Sequence, residues 1–322
     1  MVFPLIQAQT LYQLEHVLIV DCRFQLHNPS AGYLEYLEGH IPGAHYLDLD
    51  KDLSGFKAGT NGRHPLPEKE QLVEKLVRLG LQQNQTVVVY DAQDSLFAAR
   101  AWWLLRWLGH TQVQVLDGGL SAWRATGLRL STEPPACVRG NFICPSANSM
   151  PTIEVGALLT KVYAAADTNS LERIIDARAP DRFHGENETL DTVGGHIPGA
   201  YNRHFRENLT EQGYFKSPAQ LREEWLSVTQ NQPIIHQCGS GVSACHNLLA
   251  MEIAGLPSGT LYPGSWSEWC ADATRPIDSN SISKVEREGK RAATRQYKQY
   301  GKEQHSEADK VIRMKWDWNE RD

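Results

Sequence analysis

Gly39-His40-Ile41-Pro42-Gly43-Ala44 occurs a second time without change, at residues 195–200, an offset of 156 residues. Other landmarks on both sides of this stretch repeat in the same order. They are Asp21-Cys22-Arg23 with Asp176-Ala177-Arg178, residues 87–91 with 234–238, and residues 116–119 plus Trp123 with 262–265 plus Trp269. Because the offsets drift only between 146 and 156 residues, the chain is predicted to contain two copies of one domain with small insertions.

Each copy shows the pattern of alternating strands and helices. Short runs of β-branched residues at 17–20 and 173–175 each end at an aspartate, as buried strands of a parallel sheet do. Two longer strand–helix pairs are predicted, 86–90 with 97–108 in the first copy and 233–237 with 243–253 in the second. We therefore predict an α/β fold in which each copy is a mainly parallel sheet flanked by helices, with ligand sites at the carboxyl ends of the strands.

Composition divides the chain into four parts. The two copies are predicted to form domains at residues 5–130 and 152–278. A linker at 131–151 joins them, and it contains four prolines and few periodic apolar residues. A charged C-terminal extension occupies residues 279–322.

The C-terminal extension has two different patterns. Residues 284–310 are highly charged with few apolar positions, which indicates a solvated helix or disorder. Apolar and charged residues alternate after them, which predicts an edge strand or an extended arm docked on the chain, or else a segment that binds a partner. The apolar positions of this alternation are Ile312, Met314, Trp316 and Trp318.

Composition and charge exclude several classes of protein. The chain has 322 residues, 41% hydrophobic and 22% charged, which is ordinary for a globular protein. A net charge of −6 does not favour nucleic acid as a partner, and no apolar run of about 18 residues suggests a membrane span. The start of the chain lacks a secretory signal, so a cytoplasmic location is expected. Six cysteines without a Cys-x-x-Cys pair suggest neither a zinc cage nor a disulfide framework, and no metal or other cofactor is expected.

The segment His236-Gln237-Cys238-Gly239-Ser240-Gly241-Val242-Ser243 carries the candidate chemistry. Its cysteine ends a predicted strand, and a glycine-rich turn leads directly into a helix. Backbone N–H groups of such a turn, together with the helix N-terminus, can stabilise a thiolate or the outer sulfur of a persulfide. The two glycines permit close approach and positive φ, and the two serines can donate hydrogen bonds. A buried cysteine beside a helix cap is the alternative without chemistry.

Taken together, these motifs resemble the tandem rhodanese family, which includes thiosulfate sulfurtransferase and 3-mercaptopyruvate sulfurtransferase. The resemblance covers about residues 5–275 and rests on the repeated Gly-His-Ile-Pro-Gly-Ala, on residues 116–119, on residues 264–269 and on the loop at Cys238. It implies that Cys238 takes sulfur from a small anionic donor as a persulfide and passes it to a thiol or cyanide acceptor, thioredoxin among them. In such proteins the first domain is catalytically silent, and here Asp91 stands at the position that matches Cys238.

The resemblance also implies roles for residues outside the cysteine. In the mercaptopyruvate enzymes a loop serine joins an aspartate and a histidine of the first domain, and the matching positions are Ser240, Asp50 and His64. The aspartate would orient the histidine, which would polarise the serine so that it can protonate the leaving enolate. Arg182 matches the arginine that grips the anionic end of the donor. The other expected donor-binding residues are Gly239, Gly241, Val242 and Ser243.

Two observations favour different donors. The loop Cys-Gly-Ser-Gly-Val resembles the mercaptopyruvate type, because thiosulfate enzymes usually carry cationic residues after the cysteine. Mercaptopyruvate enzymes, however, have a second arginine before Gly-His-Ile-Pro-Gly, and residues 186–193 are shorter here and contain none. The sequence leans to mercaptopyruvate-type chemistry and leaves thiosulfate open as the donor.

The same residues admit three other interpretations. A phosphatase would need the arginine of a Cys-x5-Arg loop, and Ala244 stands at that place. A metal site built from Cys238, Cys245 and His246 lacks a fourth ligand, and the last two residues point in different directions from one helix. A non-enzymatic sulfur relay or scaffold, in which Cys238 delivers its persulfide to a protein recruited by the extension, stays open.

Overall fold

The computed structural model describes residues 2–145, 150–165 and 172–279. It contains two sheets, one in the first half of the chain (residues 5–130) and one in the second half (residues 152–277). Both halves belong to a single compact unit, Met1–Ile277. The predictions for the C-terminal extension beyond residue 279, including the alternating segment, lie outside the described residues.

The first half is built on a five-stranded parallel sheet flanked by helices. Its strands are β1 Leu5–Ile6, β2 Leu18–Asp21, β3 His45–Tyr46, β4 Val87–Tyr90 and β5 Val113–Leu116. They lie in the order β1-β5-β4-β2-β3, and every pairing is parallel. The helices are α1 Ala8–Tyr12, α2 Ala31–Glu38, α3 Lys69–Arg78, α4 Leu96–Trp107 and α5 Gly119–Ala125.

The second half repeats this arrangement with four strands. They are β6 Arg173–Asp176, β7 Tyr201–Asn202, β8 Ile234–Gln237 and β9 Thr260–Leu261, in the parallel order β7-β6-β8-β9. A parallel bridge between Thr152 and Leu261 takes the place that β1 has beside β5. The helices are α6 Val155–Ala165, α7 Pro180–His184, α8 Pro218–Thr229, α9 Ser243–Ile253 and α10 Ser265–Trp269, with a 3₁₀ helix at Phe205–Asn208.

These elements confirm the prediction of two α/β domains with mainly parallel sheets. Strand β4 is buried along its whole length, which explains its continuous apolar run Val-Val-Val-Tyr. Helix α9 has the predicted bounds and ends before Gly255, whose φ is +64°. Helix α4 begins and ends one residue earlier than predicted.

The repeated motifs hold the strand ends to the following loops. Arg178 pairs with the buried Asp176 through Nε and Nη2, and its Nη2 also donates to the Gly195 carbonyl at 2.7 Å. The same three contacts recur in the first half, between Arg23, Asp21 and Gly39. A buried ion pair that also satisfies a backbone carbonyl fixes the loop geometry. The repeated Asp-x-Arg motif and the first glycine of the Gly-His-Ile-Pro-Gly-Ala motif therefore stabilise the fold of each half.

Helices α4 and α9 pack against each other where the two halves meet. Nearly every residue of α4 is buried, because its own sheet and α9 both cover it. Each helix follows the carboxyl end of a strand through a short loop; residues 91–95 are called the first-half loop and residues 238–242 the second-half loop. Within the described ranges, none of the helices combines the length and the apolar character that a membrane crossing requires.

Candidate active site

Cys238 directly follows β8 and opens the second-half loop. Its N–H donates to Ser265 Oγ at 3.0 Å, and its carbonyl accepts from the Trp266 N–H at 2.9 Å. Gly241 has a φ of +77°, and a β-carbon there would lie 2.3 Å from the Pro263 carbonyl oxygen. Only glycine fits this position. The loop is therefore a fixed turn held by Pro263 and by the first two residues of α10.

The Cys238 side chain is 1% exposed, yet it lines a cavity of about 220 Å³. The Gly241 N–H donates to its Sγ at 3.2 Å. Both halves contribute to the walls, with Leu26, Arg63, His64 and Phe97 from the first and Ala177, Arg182, Leu190, Gly239, Ser240, Val242 and Ser243 from the second. A sulfur that is shielded from bulk water but open to a shared cavity can react with a small enclosed substrate.

Asp50, His64 and Ser240 form a chain of polar contacts that crosses from the first half to the second. His64 Nδ1 lies 2.7 Å from Ser240 Oγ, and His64 Nε2 lies 3.4 Å from Asp50 Oδ1. With the ring proton assigned to Nε2, which faces the carboxylate, the Ser240 hydroxyl donates to Nδ1. The structure thus brings these three predicted residues together, with Ser240 two positions after Cys238.

The surroundings of Asp50 and His64 determine the charges of these two side chains. Hydrogen bonds from His64 and Lys57 lower the pKa of Asp50 to about 2, against the effect of partial burial, so Asp50 is a carboxylate. Burial lowers the pKa of His64 from its ordinary 6.5, and this outweighs the opposite effect of Asp50. A neutral imidazole held beside a carboxylate can accept the Ser240 proton and return it.

Two arginines approach the loop at Gly239. A β-carbon on Gly239 would lie 2.8 Å from Arg63 Nη2 and 3.5 Å from both Nη atoms of Arg182. Carboxylates hold both guanidinium groups, because Arg182 pairs with Glu188 at 2.9 Å and Arg63 pairs with Asp191. Arg182 Nη2 also lies 3.3 Å from Asp191 Oδ2. The missing side chain of Gly239 therefore leaves room beside two planar cations.

The other predicted loop residues have distinct places. Gly239, Val242 and Ser243 line the cavity together with Arg182. Gly241 contributes its N–H to the Cys238 sulfur instead.

Sequence reasoning does not find two arginines of the first half. Arg63 stands directly before His64, so adjacency to a candidate relay residue is a usable signal. Arg100 lies inside the largely apolar helix α4, is fully buried, and donates from Nη1 to the Gly241 carbonyl at 3.1 Å. A charged residue in a buried helix is rare enough to be a second signal.

Comparison with known protein families matches this architecture. The rhodanese-like domain family matches residues 7–126 and residues 158–272, one match in each half. The chain belongs to the rhodanese family. The resemblance stated from the sequence motifs is thereby confirmed, and so is the tandem arrangement of two rhodanese-like domains.

Individual members of the rhodanese family show the activity. A Pseudomonas aeruginosa protein named probable 3-mercaptopyruvate sulfurtransferase is 45% identical over 266 residues, which are 81% of this chain and 92% of that protein. Thiosulfate sulfurtransferase of Bos taurus is 35% identical over 246 residues, 73% of this chain and 78% of that protein. The crystal structure of SseA from Escherichia coli, a 3-mercaptopyruvate sulfotransferase, matches with a TM-score of 0.70 and 34% identity over 82% of this chain and 99% of that one. This rhodanese is a sulfurtransferase.

Proposed function

We propose that the protein transfers the sulfur of 3-mercaptopyruvate to a thiol or cyanide through a persulfide on Cys238. The main support is the contact between Ser240 Oγ and His64 Nδ1 at 2.7 Å. Ser240 stands two positions after Cys238 in the sequence. Release of pyruvate leaves an enolate that must take up a proton, whereas release of sulfite from thiosulfate needs none. A proton relay beside the nucleophile therefore favours mercaptopyruvate as the donor.

The first step forms one sulfur–sulfur bond and breaks one carbon–sulfur bond. The Cys238 thiolate attacks the sulfur of 3-mercaptopyruvate, and the electron pair of the carbon–sulfur bond goes to the pyruvate enolate. Ser240 gives its proton to the enolate carbon, and it is reprotonated through His64 by the proton that the donor thiol brought in. In the second step an acceptor thiolate or cyanide attacks the outer sulfur and releases the Cys238 thiolate.

The anionic end of the donor is proposed to bind Arg182 and Arg63 beside Gly239. This pair supplies two guanidinium groups although residues 186–193 contain no arginine. Glu188 and Asp191 already offset the charges of the two arginines. A singly charged carboxylate meets less repulsion in such a neutralised site than doubly charged thiosulfate does, so the charge balance also supports mercaptopyruvate.

The test compares both donors on the wild-type protein and on Ser240→Ala. Wild type should have the higher kcat/KM with 3-mercaptopyruvate, and Ser240→Ala should lower that value by about 100-fold while it changes the value for thiosulfate only a few-fold. Ser227→Ala is the control, because this exposed serine on α8 donates to the Glu224 carbonyl, does not line the cavity and should cost less than about twofold. Equal losses with both donors in Ser240→Ala would contradict a role in protonating the enolate.

The acceptor and the location are proposed on chemical grounds. All six cysteines are free thiols, and a reducing compartment such as the cytoplasm keeps them so. Such a compartment also supplies thiol acceptors, and thioredoxin is the proposed protein acceptor. A non-enzymatic relay would turn over only with its protein partner, so sustained turnover of the pure protein with cyanide contradicts that alternative.

A further inference from the structure

Arg100 connects the second-half loop to the segment that carries His64. Its Nη1 donates to the Gly241 carbonyl at 3.1 Å. Its Nη2 lies within hydrogen-bond distance of three carbonyl oxygens of the first half, those of Leu53, His64 and Pro65, at 3.1 to 3.4 Å. The side chain is fully buried where α4 meets the second half. One guanidinium group therefore holds both sides of the active site.

The arginines that line the cavity are neutralised, but Arg100 is not. Their carboxylate partners are Asp191 for Arg63, Asp176 for Arg178 and Glu188 for Arg182. Among the residues that the structure describes, no aspartate or glutamate pairs with Arg100, and its hydrogen-bond acceptors are carbonyl oxygens and the neutral Cys245 thiol. Arginine stays protonated in proteins, so the site keeps one unmatched positive charge. Burying such a charge is costly unless an anion compensates it.

Two thiols are the groups near Arg100 that can become anionic, Cys245 and Cys238. Burial raises the pKa of Cys245 to about 12, so that thiol is neutral at physiological pH. Its Sγ donates to the Gly241 carbonyl at 3.3 Å. Cys238 is the remaining place for the compensating negative charge. Gly241 links the two partners, because its N–H donates to Cys238 Sγ and its carbonyl accepts from Arg100.

We propose that Arg100 is the counter-charge of the sulfur anion on Cys238, both as thiolate and as persulfide. It is also a positioning residue, because its bond to Gly241 aims that N–H at the sulfur, and its bonds beside His64 hold the relay in place. This inference rests on the proposed role of Cys238 as the sulfur carrier. The charge that faces the sulfur of the second half thus comes from a side chain of the first half.

The test measures alkylation of Cys238 by iodoacetamide as a function of pH in the full chain, with the modified peptide identified by mass spectrometry. Arg100→Gln removes the charge but keeps an N–H donor for a carbonyl, and Arg100→Lys keeps the charge. At pH 7 the glutamine variant should react about tenfold more slowly than wild type, because the sulfur anion loses its counter-charge. The lysine variant should stay within about threefold of the wild-type rate.

Arg106→Gln is the matched control on the same helix. Arg106 pairs across the halves with Glu252 at 3.4 Å, so its loss weakens the contact between them without removing the charge at Gly241. It should lower Tm and leave the alkylation profile unchanged. The inference would be overturned if Cys238 in Arg100→Gln were alkylated as fast as in the wild type. It would also be overturned if Arg100→Gln and Arg100→Lys slowed the alkylation of Cys238 equally. If the glutamine variant does not fold, the lysine variant alone tests the inference. Because lysine keeps the positive charge, a Cys238 alkylation rate more than about tenfold below wild type in Arg100→Lys would contradict a charge effect. Alkylation needs no sulfur donor, so a failure of the mercaptopyruvate proposal would be visible separately, as missing turnover of the wild type.

Discussion

The first-half loop and the second-half loop occupy equivalent places but differ in the group at their centre. In the first-half loop, the Asp91 carboxyl group accepts four backbone N–H bonds of 2.8 to 3.0 Å, from Gln93, Ser95, Phe97 and Ala98. In the second-half loop, Cys238 Sγ accepts the Gly241 N–H. Loops of this kind bind anions. In the first-half loop the anion position is therefore always filled by the Asp91 carboxyl group. In the second-half loop it is occupied by the Cys238 sulfur, which is proposed to gain and lose a second sulfur atom.

Each loop also receives one side chain from the helix of the other half. His246 on α9 lies 3.0 Å from the Asp94 carbonyl, and Arg100 on α4 lies 3.1 Å from the Gly241 carbonyl. Burial lowers the pKa of His246 to about 3, so the group at the first-half loop is neutral. The group at the second-half loop is a cation. The two copies thus share their geometry and differ in charge, and the charge lies where the chemistry is proposed.

Replacing the central sulfur should have the largest effect. Cys238→Ser should lower sulfur transfer by at least about 10³-fold and keep the fold, because the serine oxygen can accept the Gly241 N–H. After treatment with 3-mercaptopyruvate, the wild type should gain about 32 Da, the mass of one sulfur bound to the thiolate, and the variant should not. Cys245→Ala serves as the control and should retain the mass gain. A gain of sulfur by Cys238→Ser would place the carrier at another cysteine and end the contrast between the two loops.

A smaller effect is expected where the first half contributes to donor binding. Arg63→Ala should raise the KM for 3-mercaptopyruvate by about tenfold with little change in kcat, because a guanidinium partner of the carboxylate is lost. Arg78→Ala, which removes an arginine paired with Glu74 on the exposed face of α3, is the control and should leave KM unchanged. An unchanged KM in Arg63→Ala would mean that this arginine only neutralises Asp191.

The smallest effect on catalysis is expected in the first-half loop itself. Asp91→Asn replaces one carboxyl oxygen by an NH₂ group that faces N–H donors, so the free energy of unfolding should fall by about 2 kcal/mol. The kcat/KM should stay within about twofold of wild type, because the loop has no nucleophile. Urea denaturation and steady-state turnover measure the two quantities. A loss of activity larger than this, in protein that is still folded, would show that the first-half loop takes part in catalysis.

The sequence predicts the fold well because its strongest signals are local or repeated. An identical six-residue stretch in both copies and the unbroken apolar run of β4 are visible without any tertiary information. Strands β1, β3, β7 and β9 have two residues each, so they are too short to show a period. Their positions follow from the pairing of the sheet rather than from a pattern in the chain.

The site is predictable only in part, because most of it forms between distant residues. The loop around Cys238 is a continuous segment with its own chemistry, and it is visible directly. The contact of His64 with Ser240 joins residues 176 positions apart, and only the family resemblance points to it. The pair of Arg63 and Asp191 spans 128 positions and has no local signature. Such contacts depend on how the two halves meet, which no short pattern encodes.

The cavity wall that both halves build has a consequence for the duplication itself. A fragment limited to residues 152–277 would keep Cys238 but lose His64, Arg63 and Arg100, which reach the second-half loop from the first half. The surroundings of the reactive loop are therefore complete only when both halves are present.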